Sequence, residues 1–139
     1  MENVPNGTYA MVNPQVENDP ARRQGMVGMI VDSNIDNDDI WVSFGKSEVG
    51  LYSTNALMVL QKPDIISQNA MDKRFEISGA DFKQLMEISL LQADRRPENA
   101  KTALEMARSS EAVMQNSVTT LQDKLGLELN YEMAAGRRR

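Results

Sequence analysis

The residues best placed to do chemistry are carboxylates. Asp32, Asn34 and Asp36 sit at alternate positions in a polar run from Asp32 to Asp39, the spacing with which an EF-hand loop begins. The pattern then fails. The sixth position, which needs glycine for the sharp turn, is Asn37, and the twelfth, which needs a bidentate glutamate, is Ser43. This run therefore reads as a solvated hairpin loop, and no metal site is expected. The chain has no histidine and no cysteine, which removes the commonest general base, the usual transition-metal ligands and the thiol nucleophile. No G-x-S-x-G elbow, S-x-x-K pair or glycine-rich phosphate loop occurs. No catalytic residue and no cofactor are expected, and the protein reads as a non-enzyme.

Aromatic residues are the next candidates. In Ile40-Trp41-Val42-Ser43-Phe44 the alternation puts Ile40, Val42 and Phe44 on one face and the single tryptophan, Trp41, on the other. An outward aromatic on a small β-domain contributes large contact area at low entropic cost. Trp41, Tyr52 and Tyr9 are thus candidate partner-binding residues; the competing expectation is that helices cover Trp41. Arg137, Arg138 and Arg139 end the sequence as a basic triplet after Gly136, read as a solvated tail.

The elements that hold these residues divide into an α+β arrangement. Residues 7–62 carry short apolar runs separated by turn clusters, at about residues 7–12, 25–31, 40–44, 51–53 and 56–60. That pattern predicts a small β-barrel. Residues 63–77 read as a linker. Residues 78–126 have a helical composition and predict a helical hairpin, followed by a tail over 127–139. Ser78 is placed to cap the first helix, with Asp81 three residues on. Pro97 suits the first position of the second helix, which the pattern extends to Lys124, before Gly126. Leu104, Ala107, Glu111, Met114, Val118, Leu121 and Leu125 alternate spacings of three and four, a coiled-coil seam with one polar member. Leu104, Met114, Val118, Leu121 and Leu125 are accordingly the candidate oligomerisation residues.

From residue 19 to residue 60 the chain runs through DPARRQGMVGMI and, past the acidic loop, DDIWVSFGKSEVGLYSTNALMVL. A Gly-x-x-Gly enters an apolar strand, an alternating V-S-F strand follows, and a G-L-Y strand leads to A-L-x-x-L. These features resemble the Src-homology-3-like small barrels of the KOW and Tudor kind. The chain is also similar to short proteins of bacteria and their mobile elements. The resemblance implies a barrel that docks a peptide, a modified side chain, RNA or a neighbouring subunit; it covers none of residues 63–139.

Composition narrows the partners. Residues 1–62 carry eight acidic and four basic side chains, residues 63–139 twelve and eleven, so the net charge of −5 falls mostly on the first half. Arg22, Arg23, Lys46 and Lys62 are the only cations there, too few for the counterion release that drives nucleic-acid binding. No stretch reaches the roughly 18 apolar residues of a membrane span, and the start of the sequence lacks the basic and apolar regions of a secretory signal. A cytoplasmic interaction or assembly protein is the leading expectation, partnered by another protein or by itself. A nucleic-acid- or ribosome-associated module is the alternative, and a small acidic inhibitor from a mobile element the third.

Overall fold

The computed structural model describes residues 6–16, 19, 22–94 and 96–126; the basic triplet and the rest of the 127–139 tail lie outside them. Five strands and two turns of 3-10 helix come first: β1 (Tyr9–Val12), β2 (Val27–Asn34), the turn Ile35–Asn37, β3 (Asp39–Ser43), β4 (Val49–Tyr52), the turn Thr54–Ala56 and β5 (Leu57–Leu60). Four helices follow, α1 (Pro63–Asp72), α2 (Gly79–Ala93), α3 (Pro97–Ala107) and α4 (Glu111–Ser117), then the strand β6 (Val118–Thr120); residues 121–126 are again helical. All six strands make one antiparallel sheet in the order β4-β3-β2-β1-β5-β6.

The expected barrel over residues 7–62 is therefore corrected to an open sheet. Closure would require β5 or β1 to offer a free edge to β4. Instead β1 lies between β2 and β5, and the outer edge of β5 is taken by β6, through the pairs Met58↔Thr120, Val59↔Thr119 and Leu60↔Val118. A strand from the far end of the chain thus occupies the hydrogen-bonding groups that closure would use.

The helical hairpin over 78–126 is corrected as well. Its first helix is α2, with the Ser78 hydroxyl accepting the Asp81 N–H at 3.0 Å. Its second is broken. The run ends at Ala107, and Ser110 restarts it, its hydroxyl accepting the Val113 N–H at 3.1 Å while donating to Asp81 Oδ1 at 3.0 Å. Val118-Thr119-Thr120 then leaves the helix altogether, since β-branched side chains favour the extended backbone. Residues 63–77, expected as a linker, contain α1, with Pro63 at its start and Ile66 and Ala70 buried one turn apart.

Two apolar clusters hold these layers. One face of the sheet, with Ala10, Val12, Ile30, Ile40, Val42, Leu57 and Val59, is sealed by Leu121 and partly by Leu125. On the other face Met11, with half-buried Tyr9, Val27 and Met58 around it, packs against Leu85, Ile88, Leu104 and Ala107 of α2 and α3. The strand half and the helical half therefore share a core. The helices cover this second face only over β1, β5 and the start of β2, which decides what remains exposed.

Candidate docking face

Where the helical layer stops, the outer face of β2, β3 and β4 continues into solvent with apolar side chains. Register fixes the arrangement. Met29 lies opposite Ser43, which lies opposite Val49; one step along, Trp41 lies opposite Leu51. On the β2 side the register slips between Ile30 and Asp32, a β-bulge that sets Val31 and Asp32 together against Trp41. Trp41 is 40% exposed, Leu51 48%, Val49 47%, and Val31 and Met29 36% each. Five large apolar groups on three adjacent strands make one contiguous patch, whereas scattered exposed apolar residues need no explanation.

The border of the patch is acidic. Asp32 faces Trp41 across the bulge, and the loop beyond carries Asp36, Asp38 and Asp39. Three side chains of this run accept backbone N–H groups, two within the loop and one from the turn before β5. Asp32 Oδ1 accepts the Ser33 N–H at 2.9 Å, Asn34 Oδ1 accepts the Asn37 N–H at 3.3 Å, and Asp38 Oδ1 accepts the Thr54 N–H at 2.8 Å. Among the described residues no three His, Cys, Asp or Glu side chains gather as metal ligands would. On its other side the patch runs out to a sheet edge. The Phe44 N–H donates to Glu48 O at 2.9 Å, so in the alternation of an antiparallel ladder Gly50 and Tyr52 bond to β3. The backbone groups of Val49 and Leu51 point away from the sheet.

The three aromatic candidates do not come together. Trp41 is on the open outer face, and the helices do not cover it. Tyr52 is on the inner face, 9% exposed, its hydroxyl donating to Asp19 Oδ2 at 2.9 Å. Burial raises its pKa, with opposing effects from Arg23 and Asp19. Tyr9 is half-buried beneath the helical layer, across from Met29. Tyr52 is instead part of a brace that ties the β1–β2 loop to β4. Arg23 lies 4.8 Å over the Phe44 ring and 3.8 Å from Glu48, and its pKa is raised, first by its interaction with Tyr52. A side chain on Gly50 would collide with both Arg23 and Tyr52, at 2.7 Å.

The five candidate oligomerisation residues are internal. Leu104 is fully buried, Val118 and Leu121 are 5% and 3% exposed, and Met114 and Leu125 are half-buried against the same clusters. They belong to a helix, a second helix, a strand and a final turn, and together form no seam. Glu111, the polar member of the expected seam, opens α4 and accepts a hydrogen bond from Gln115 at 3.1 Å. Of the four cations in the strand half, Arg23 is engaged in the brace, Arg22 and Lys46 sit in turns with positive φ, and Lys62 immediately precedes α1.

Sequence reading missed Leu51, Val49, Val31 and Met29. The signal was present, since Met29 and Val31 alternate with Ile30 as Leu51 does with Tyr52, but alternation alone does not say which face the helices cover. Among the described residues no helix is long and apolar enough to cross a membrane. Comparison with protein-family models, with curated proteins and with solved structures finds no match to this chain.

Proposed function

We propose that the protein is a non-catalytic interaction protein that docks another protein on the outer face of β2, β3 and β4. The observation that carries this reading is the contiguous exposed patch of Trp41, Leu51, Val49, Val31 and Met29. Trp41 is its anchor, because a large rigid aromatic ringed by smaller apolar contacts is the usual composition of an interface hot spot. The acidic loop at the border favours a partner whose apolar contact surface has a basic rim. The exposed backbone of Val49 and Leu51 supports a partner segment lying along β4 as an added strand.

Site-specific photo-crosslinking tests the reading. A benzoylphenylalanine at position 51, expressed in the source cells, is expected to give a discrete adduct with another protein. The same group at exposed Asp123, outside the patch, is expected to give none. Equal adducts from the two positions, or none from position 51, would refute the docking face.

A further inference from the structure

The chain has ten methionines and no cysteine. Every oxidisable sulfur is therefore a thioether, with no thiol to compete for an oxidant. Folding sorts these sulfurs by access. Met11 is fully buried, and Met58, Met86, Met106 and Met114 are half-buried against the cluster beneath the helices. Among the described residues Met26, Met29 and Met71 are the exposed methionines, at 42%, 36% and 43%. Met71 belongs to α1. Met26 precedes β2 an odd number of residues before Met29, so strand alternation turns it to the opposite side. Of the three, Met29 is the one on the docking face.

Register places Met29 where a change of polarity matters. It lies opposite Ser43, and Trp41, two residues before Ser43 on β3, is its diagonal neighbour on the same face. The Ser43 hydroxyl accepts the Gly45 N–H at 3.3 Å, and so short a side chain leaves the thioether open on the β3 side. A methionine suits a docking face because its flexible, polarisable side chain adapts to the surface it meets. That same sulfur is the face's chemically labile atom.

We propose that Met29 is an oxidation site that regulates the docking face, an inference that rests on the docking reading given above. With a peroxide as oxidant, the thioether sulfur attacks one peroxide oxygen. The S–O bond forms, the O–O bond breaks and water leaves, so sulfur gives up the two electrons that the peroxide gains. The product is a polar sulfoxide among apolar contacts, which docking would have to strip of water. Two thiols return it to the thioether, forming a disulfide and water, so the change is reversible.

The test is to treat the full chain with hydrogen peroxide, locate the added oxygen by fragmentation mass spectrometry, and measure binding of the protein captured at position 51. Met29 and Met71 are expected to oxidise together, well before Met11. Binding is expected to fall about 10-fold, the scale of burying an unpaired polar group, with unchanged circular dichroism. It is expected to recover on treatment with a methionine sulfoxide reductase and dithiothreitol. Met29→Leu, which nearly conserves volume, is expected to bind like wild type before and after peroxide. Met29→Gln, a polar stand-in for the sulfoxide, is expected to lose about 10-fold without oxidant. Full affinity with Met29 oxidised would overturn the switch and leave the docking face standing. A Met29 that stays reduced at a dose that oxidises Met71, or an equal loss in peroxide-treated Met29→Leu, would do the same. Absence of any capture by the untreated chain would instead remove the docking face, and the switch with it.

Discussion

Leu104→Ala separates an internal core position from an oligomer seam. Leu104 is fully buried between α2, α4 and the sheet, in a cluster with Met11, Leu85, Ile88 and Val113. The substitution removes three carbon atoms from that cluster. At about 0.8 kcal/mol per buried methylene, transfer alone accounts for about 2.4 kcal/mol. The cavity left among neighbours fixed by two helices and a sheet brings the total into the range of about 2–5 kcal/mol measured for such truncations. Set against a stability of about 5–15 kcal/mol for an ordinary domain, that is a large fraction. The assay is urea unfolding of wild type and variant at two protein concentrations tenfold apart. The expected result is a lowered midpoint with an unchanged slope, identical at both concentrations. If Leu104 instead lay in a seam between copies, the midpoint would move with concentration, because dissociation would be coupled to unfolding. A loss under about 1 kcal/mol, or a concentration-dependent midpoint, would refute the internal packing described above.

Other positions give sharper local tests. Gly28→Ala would place a methyl 2.8 Å from the Ser43 carbonyl oxygen and 2.6 Å from Val42 Cγ1, and is expected to cost about 1–3 kcal/mol in chemical denaturation. Gly79→Ala, with nothing within 4 Å, serves as the tolerated control. Ser110→Ala removes both the α4 cap and the bond to Asp81, with an expected loss of about 0.5–2 kcal/mol and faster amide exchange confined to the start of α4. Burial raises the Tyr52 pKa above its unfolded value of 10.0. The stability that buried neutral phenol contributes is complete below that pH and declines as pH rises through the folded pKa. Tyr52→Phe should therefore flatten the alkaline decline of the wild-type midpoint while lowering stability near neutrality, where Asp19 loses a donor; an unchanged alkaline slope would contradict the buried phenol.

Much of the strand half was legible because local chemistry decides it. Period-two alternation marks β3 and β4, the polar run from Asp32 to Asp39 marks the loop, and Ser78 and Pro97 mark the starts of α2 and α3. The helical half was less legible, since spacings of three and four persist across residues 104–125 whether or not the helix is continuous. Ser109-Ser110 and Val118-Thr119-Thr120 were the local signs of the breaks, a cap and a β-branched run. That Val118–Thr120 pairs with Met58–Leu60 is a contact across about sixty residues of chain, which no local pattern announces. The open sheet follows from that same pairing. In the site, alternation alone separates Trp41 from Ile40 and Val42. The concealment of Tyr52 depends on Asp19, 33 residues earlier. The exposure of Trp41 depends on where α3 ends its cover of the sheet.

Trp41 is the sole tryptophan of the chain, so its fluorescence reports on the proposed docking face without labelling. The protein captured by the crosslinker at position 51 can be titrated into wild type while emission and acrylamide quenching are recorded. The account predicts a blue shift and reduced quenching as the indole leaves water. It also predicts binding weakened by at least about 1 kcal/mol, or fivefold or so, in Leu51→Ser, whose far-ultraviolet circular dichroism should match wild type. Binding that leaves Trp41 emission and quenching unchanged, with full affinity in Leu51→Ser, would contradict it.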